Sequence, residues 1–165
     1  MIGPQRLFLA GASGAILLFA LSFVHPFGDP RSLRGAPGPL LAGAQIPDSE
    51  WELVGRKCGN CHSERNEWPF YANFAPVSWL VEHDVTEARS HMNLSQWDTY
   101  SSVDKEDMLS RLAAEVRSGE MPPRRYTAVH WDARLTTAEQ SSLYEWARAE
   151  RKKLKMEVQN SEGGQ

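Results

Sequence analysis

The sequence predicts an all-α fold, and three observations carry this prediction. Apolar residues recur at spacings of three and four in four separate segments between residues 48 and 156. No stretch alternates between apolar and polar residues at the period of two that a strand would show. Two of the helical segments begin with the Ser/Thr-x-x-Glu pattern of a capping box. These patterns together predict one helical domain over residues 48–156.

An apolar run of 18 residues without a charge, residues 7–24, lies at the start of the chain. Its length approaches that of a transmembrane helix, so residues 1–24 are predicted to form an N-terminal membrane anchor. The alternative is a cleaved signal peptide, with Ala42-Gly43-Ala44 as an A-x-A cleavage site. That site lies far beyond the apolar run, which favours the anchor. Both interpretations export the rest of the chain, and the anchor places it at the periplasmic face of the cytoplasmic membrane.

The segments on either side of the domain differ from it in composition. Residues 25–47 are rich in proline and glycine, which predicts an extended linker that holds the domain off the membrane. Residues 157–165 are polar and are predicted to be a disordered tail. The formal charge of the chain is -3, and its one short basic run is Arg151-Lys152-Lys153. Nucleic acid is therefore not an expected partner.

The first two helices of the domain are predicted from periodicity and end signals. One spans roughly residues 49–61, with Ser49 and Glu52 as its capping box. The other spans roughly residues 76–92 and has Pro76 in its first turn. Its expected buried face consists of Val81, Val85, Ala88 and Met92.

Two further helices are predicted in the second half of the domain. One spans roughly residues 103–118, with Met108, Leu112 and Val116 on its apolar face and Gly119 as its C-cap. The other spans roughly residues 137–155 and has Thr136 and Glu139 as its capping box.

The loop of residues 63–75 carries an unusual number of aromatic residues. They either cover a small helical core or surround an apolar cofactor, and both interpretations remain open here. The aromatic residues are Trp68, Phe70, Tyr71 and Phe74.

The motif Cys58-x-x-Cys61-His62 holds both cysteines of the chain. Two cysteines three positions apart on a helical turn can form thioethers with the two vinyl groups of one haem, and the histidine can then bind the iron. A redox dithiol would be expected at a helix N-terminus after a strand, which this sequence does not show. A zinc site needs more ligands, and a disulfide across this spacing would stabilise little. The spacing therefore favours one covalent haem c.

A second axial ligand is expected opposite His62. Met121 lies in the stiff segment Gly119-Glu120-Met121-Pro122-Pro123, and methionine paired with histidine is a common ligand set of cytochromes c. The competing candidates are His83, His91, Met92 and His130, and an open sixth position is the remaining alternative.

The chain resembles a bacterial haem-binding domain family of exported proteins with a single CxxCH site. The resemblance covers roughly residues 50–150 and implies covalent haem binding, with a broader likeness to class I cytochromes c. It adds Trp79 to Trp68 and Tyr71 as candidates for haem contact. The matching residues are Cys58, Cys61, His62, Ser63, Trp68, Pro69, Tyr71, Ala75, Pro76, Trp79, His83, Asn93, Ser95, Trp97, Met121, Pro122, Tyr126, His130, Leu135 and Trp146.

Three functions are compatible with these features. The first is an electron-transfer cytochrome whose redox partner has a basic docking patch, because residues 45–165 carry 15 basic and 20 acidic side chains. The second is a haem peroxidase or ligand sensor with an open sixth site, in which His83 or His91 with Asp84 or Glu87 could move protons. The third is an interaction domain that uses the cysteines as a disulfide. Candidates for pairing with haem propionates are Arg56, Lys57, Arg124 and Arg125.

Overall fold

The structure is a computed structural model that describes residues 4–29 and 38–163. All regular elements in these two ranges are helical, which confirms the all-α fold. Three short 3-10 turns, Phe70–Asn73, Leu94–Thr99 and Trp131–Ala133, connect the longer helices. The α-helices are α1 (Pro4–Leu21), α2 (Asp48–Lys57), α3 (Gly59–His62), α4 (Val77–His91), α5 (Ser102–Ser118), α6 (Arg124–Val129) and α7 (Thr137–Gly163).

Helices α5 and α7 form the most extensive helix pair of the domain. Their facing sides are apolar, and α2 and the turn at Leu94–Thr99 close the core around them. The fully or almost fully buried side chains of this core are Leu53, Val54, Leu94, Trp97, Leu109, Val116, Leu143 and Ala147.

The end signals predicted for α5 and α7 are present. Gly119 has the left-handed φ of 74° at the C-cap of α5, a conformation that glycine adopts at no steric cost. At the start of α7, the amide of Glu139 donates to Thr136 Oγ1 at 3.2 Å and the amide of Thr136 donates to Glu139 Oε2 at 2.7 Å. This is the predicted capping box. Helix α7 continues to Gly163, so most of the expected disordered tail is helical, and residues 164 and 165 lie outside the described ranges.

The predicted helix over residues 49–61 is two helices, because Cys58 separates α2 from α3. The capping box predicted at Ser49 and Glu52 is wrong. Helix α2 begins at Asp48, so Ser49 already lies inside the first turn and its hydroxyl donates to Glu50 at 2.5 Å. Pro47 occupies the N-cap without a side-chain hydrogen bond.

The buried faces of α4 and α5 are rotated from the predicted ones. In α4 the buried residues are Ser78, Glu82 and Val85, of which only Val85 was expected. In α5 they are Leu109, Ala113 and Val116. Glu82 can be buried in α4 because the segment of residues 22–29, named the strap below, packs against this helix and its His25 contacts the carboxylate at 2.6 Å. Among the described residues, the buried hydroxyl of Ser78 has no hydrogen-bond partner.

The described parts of the predicted linker pack against the domain, which differs from the extended spacer expected of residues 25–47. Residues 38–46, named the clasp below, bury Leu40 and Leu41 in the core. The indole of Trp51 donates to Leu40 O at 3.1 Å and the indole of Trp146 donates to Gln45 O at 3.2 Å. Proline and glycine content alone did not predict this burial, and residues 30–37 lie outside the described ranges.

Helix α1 has exposed side chains all round from Phe8 to Ala20. In the part of the chain that the structure describes, no helix has both the length and the apolar character required to cross a membrane.

Candidate functional site

The CxxCH motif forms a helical turn of its own. Cys58 ends α2 and is the N-cap of α3, and its carbonyl accepts hydrogen bonds from the amides of Cys61 at 3.2 Å and His62 at 2.9 Å. Both cysteines are free thiols and half-buried. One tight turn therefore carries both cysteines and the histidine, and this spacing is typical of a c-type haem attachment site.

The imidazole of His62 is held by the backbone at the C-terminal end of α4, with Met92 and Ala88 contributing. Its Nδ1 donates to Met92 O at 3.0 Å, so Nε2 is the nitrogen that carries the lone pair. Burial lowers the pKa of His62, an effect partly offset by its hydrogen bond to Met92. The ring is therefore neutral near pH 7 with Nε2 unprotonated, because a hydrogen bond at one ring nitrogen sets the tautomer.

The two thiols are poorly suited to dithiol redox chemistry. Burial raises the pKa of Cys58 to about 12, and burial together with nearby Asp84 raises the pKa of Cys61 to about 11. Reactive dithiols require a lowered pKa, because the thiolate is the nucleophile. Within residues 4–29 and 38–163, no three His, Cys, Asp or Glu side chains gather in a way that could hold a metal ion.

A polar network holds the carbonyl of Met92 in place against His62. The amide of Glu64 donates to Ser95 Oγ at 3.0 Å, and Asn93 Nδ2 donates to Glu64 Oε1 at 3.0 Å. The Asn93 side chain also accepts from the amide of Ser95 at 3.1 Å. The residues just after the motif are thus tied to the segment that follows Met92, and the imidazole has a rigid acceptor.

Arg89 is a site residue that the sequence reasoning missed. From α4 its Nε and Nη2 donate to the carbonyl of Ser63 at 3.1 and 2.7 Å. Ser63 follows the CxxCH histidine directly and is buried. The guanidinium also lies close enough to Cys61 to lower its pKa slightly against the larger effect of burial. Arg89 therefore fixes the C-terminal end of the attachment turn.

On its other side, the attachment turn contacts a cluster of ring side chains. Asn60, a variable residue of the motif, donates to the hydroxyl of Tyr126 at 3.3 Å. Tyr126 stacks on His130 with ring centroids 4.4 Å apart, and the hydroxyl of Tyr71 hydrogen-bonds to His130 Nε2. The structure thus brings Tyr71 and His130 next to the motif, while Tyr126 and Asn60 were not predicted to act together.

The other two candidate aromatic residues are placed differently. Trp68 is half-buried in the loop after the motif. The indole N–H of Trp79 donates to the carbonyl of Val24 at 2.7 Å, so this side chain is engaged by the strap. Trp79 and Val24 are 55 positions apart, so no local pattern predicts this contact.

The candidate distal ligands also differ in their surroundings. Met121 follows the C-cap of α5, where its amide donates to Glu115 O at 3.3 Å, and its side chain is 38% exposed. His83 contacts Phe27 of the strap edge to face. His91 forms a 3.1 Å ion pair with Glu87 on an exposed face of α4.

The remaining two candidates have other contacts. Met92 supplies the carbonyl that holds His62, and its half-buried side chain packs against the core. His130 belongs to the ring cluster.

Two of the four candidate propionate partners are held by protein groups. Lys57 Nζ donates to the carbonyls of Asp132 at 2.5 Å and Arg134 at 2.9 Å. Arg125 donates to Asp84 through two nitrogens, at 2.7 and 3.2 Å. The other two, Arg56 and Arg124, are exposed.

An all-helical domain with a CxxCH turn and a neutral, oriented histidine has the features of a haem-binding protein. The model of the haem-binding domain family matches residues 16–149, which is most of the chain. The protein belongs to this family, and the resemblance identified from the sequence is thereby confirmed.

A curated relative is the cytochrome c peroxidase Ccp of Escherichia coli (strain K12). The two chains are 26% identical over 97 residues, which is 57% of this chain and 21% of the relative. The present chain therefore matches about a fifth of that longer protein. No solved structure gave a significant match.

Proposed function

We propose that the protein carries one covalent haem c, attached through Cys58 and Cys61, with His62 as the proximal ligand and Met121 as the distal ligand. The observation that carries this proposal is the hydrogen bond from His62 Nδ1 to Met92 O at 3.0 Å. It leaves Nε2 unprotonated, on the same turn that carries two free thiols. Haem iron bound to histidine and methionine supplies a one-electron couple of raised potential.

Electron transfer is the activity that this ligand set supports best. Two side-chain ligands leave no position for a substrate, and the protein's contribution is to bury the site, fix the ligands and define the potential. Residues 45–165 have an excess of acidic over basic side chains, 20 against 15. The proposed partner is a redox protein with a basic docking patch, and its association should weaken as salt concentration rises.

The proposed location is the periplasmic face of the cytoplasmic membrane, with the N-terminal segment as the attachment. It is supported by the uncharged run of residues 7–24 and by the exposed apolar surface of α1. A helix that is apolar on all sides is expected to be surrounded by lipid or by protein.

A peroxidase or ligand sensor is the second candidate. It is favoured by the similarity to a protein named cytochrome c peroxidase and by the 38% exposure of Met121, a ligand that could then be displaced. His83, 3.5 Å from Asp84, and His91, 3.1 Å from Glu87, would supply the acid–base groups.

The test is a set of absorption spectra of protein produced together with haem-attachment machinery. Haem that resists acidified-acetone extraction from the wild type, but is extracted after Cys58→Ala with Cys61→Ala, would support covalent attachment. No haem in either protein would contradict it.

The distal ligand is tested by Met121→Ala, with Met156→Ala as the control because Met156 is similarly exposed, at 46%, on α7. Met121→Ala should change the low-spin spectrum to a high-spin one that responds to carbon monoxide, while Met156→Ala should leave it unchanged. A wild type that already binds carbon monoxide would favour the sensor or peroxidase.

A further inference from the structure

The strap binds α4 along most of the length of this helix. Successive strap residues contact successive residues of α4, so the two segments run in the same direction. The hydrogen bonds are Ala75 N to Ser22 Oγ at 2.9 Å, Trp79 Nε1 to Val24 O at 2.7 Å, His25 Nδ1 to Glu82 Oε1 at 2.6 Å and Thr86 Oγ1 to Phe27 O at 3.4 Å. The strap is therefore part of the domain surface and brings the end of α1 against it.

The polar groups of the strap are directed inward. The carboxylate that His25 contacts belongs to Glu82, which is completely buried. Apolar side chains remain exposed around these contacts. In the strap, Phe23 is 70% and Phe27 is 47% exposed, and Phe74, which lies just before α4, is 49% exposed. An exposed cluster of large apolar side chains marks a surface that contacts protein or lipid.

This apolar cluster is continuous with the surface of α1. The rings of Phe19 and Phe23 are in edge-to-face contact, with centroids 5.3 Å apart, across the junction of α1 and the strap. The hydroxyl of Ser22 accepts from the amide of Ala75 at 2.9 Å, which places Phe74 beside that junction. The phenylalanine patch is defined as Phe19, Phe23, Phe27 and Phe74.

We propose that the phenylalanine patch lies in the headgroup and upper acyl region of a lipid bilayer, so that the strap seats the haem-binding domain directly on the membrane. The inference rests on the proposed membrane location and specifies which face of the domain contacts lipid. Phenylalanine is among the residues that membrane-surface segments bury at the boundary of headgroups and acyl chains. Lipid fits better than a second copy of the chain, because α1 is apolar all round and has no single stripe for a partner helix.

The test places the photoreactive residue p-benzoyl-phenylalanine at chosen positions of the full haem-loaded chain in phosphatidylethanolamine–phosphatidylglycerol vesicles. Phe74 tests the patch, and Phe27 is a second position in case the first variant fails to fold. Phe19 on α1 tests membrane attachment, and Val103 is an apolar control, 66% exposed, on α5. A far-UV circular dichroism spectrum like that of the wild type shows that each variant is folded.

After illumination we expect a lipid adduct, detected as a mass shift, at Phe74, Phe27 and Phe19. We expect no adduct at Val103. An adduct at Phe19 alone would overturn the patch and leave the membrane location intact. An adduct at none of these positions would overturn both. A crosslink from Phe74 to a second protein chain would also overturn the proposal.

The role of the strap is tested by Trp79→Phe, which removes the hydrogen bond to Val24. The lipid adduct at Phe74 should decrease while that at Phe19 is unchanged. Trp51→Phe removes the same kind of hydrogen bond, from an indole to a backbone carbonyl, in the clasp and should change neither adduct. If Trp79→Phe and Trp51→Phe changed the lipid adduct at Phe74 equally, the strap would not position the patch.

Discussion

Replacing Arg89 by methionine should destabilise the protein far more than an ordinary surface substitution. The guanidinium makes two hydrogen bonds, at 3.1 and 2.7 Å, to the carbonyl of Ser63, a residue that is only 1% exposed. Removing the donors leaves a buried carbonyl without these partners, which costs about 1–3 kcal/mol. We therefore expect the free energy of unfolding to fall by about 2 kcal/mol. The haem spectrum should be retained, since Arg89 is not a proposed ligand.

The matched control is Arg111→Met on α5. Arg111 pairs with Asp107 at 2.8 Å, but the two side chains are 63% and 59% exposed, so this pair should contribute less than about 1 kcal/mol. Both variants remove one charge and keep a long side chain. Urea unfolding followed by circular dichroism measures the difference. Equal stability of the two variants would show that Arg89 does not hold the attachment turn.

Three further predictions concern stability and thiol reactivity. Gly119→Ala should lower the free energy of unfolding by about 1 kcal/mol, because φ at this position is 74°. Gly55→Ala inside α2 should be neutral or stabilising. Thermal melts in which Gly55→Ala is the less stable variant would contradict the role of Gly119 as C-cap. Hydrogen bonding at the start of α7 lowers the pKa of Glu139 below 4.5, so its stabilisation is present above that pH and is lost as pH falls through the lower folded value. Glu139→Gln should therefore reduce the urea midpoint near neutral pH and little in strong acid, and a difference that does not vary with pH would count against this. In haem-free protein, Cys58 and Cys61 should react with iodoacetamide more slowly than glutathione does, because their pKa values are about 12 and about 11. Reaction as fast as that of glutathione would show that the thiols are not buried.

The parts of the fold that the sequence predicted well are those with local signals. The bounds of α5 follow from periodicity and from Gly119, and the start of α7 follows from Thr136 and Glu139. Such signals involve residues within one or two turns of each other. They need no knowledge of what packs against the helix.

The parts that were missed depend on contacts between distant residues. Glu82 is buried in α4 because His25 contacts it from 57 positions away in the chain. The clasp is ordered by indole donors, one of which, Trp146, lies 101 positions from its acceptor. A single sequence gives no local signal for either contact. The sequence pattern therefore predicts a buried face of α4 that omits Glu82, and an extended linker over residues 25–47.

The candidate site shows the same division. The motif at Cys58, Cys61 and His62 is recognisable because spacing alone defines it. The acceptor for His62 is a backbone carbonyl, which any residue could supply, so position 92 could not be found from its side chain. Arg89 also donates to a backbone carbonyl, and its role depends on the packing of α4 beside the attachment turn.

The clasp determines where the shortest segment that folds on its own must begin. A polypeptide that started at residue 48 would keep every helix from α2 onward but would lack Leu40 and Leu41, whose burial contributes about 1.5–3 kcal/mol each. It would also leave the indoles of Trp51 and Trp146 without their acceptors. The smallest autonomous unit should therefore begin at or before residue 38. A truncation series comparing starts at 38 and 48 should find cooperative unfolding in the first and an aggregation-prone chain in the second.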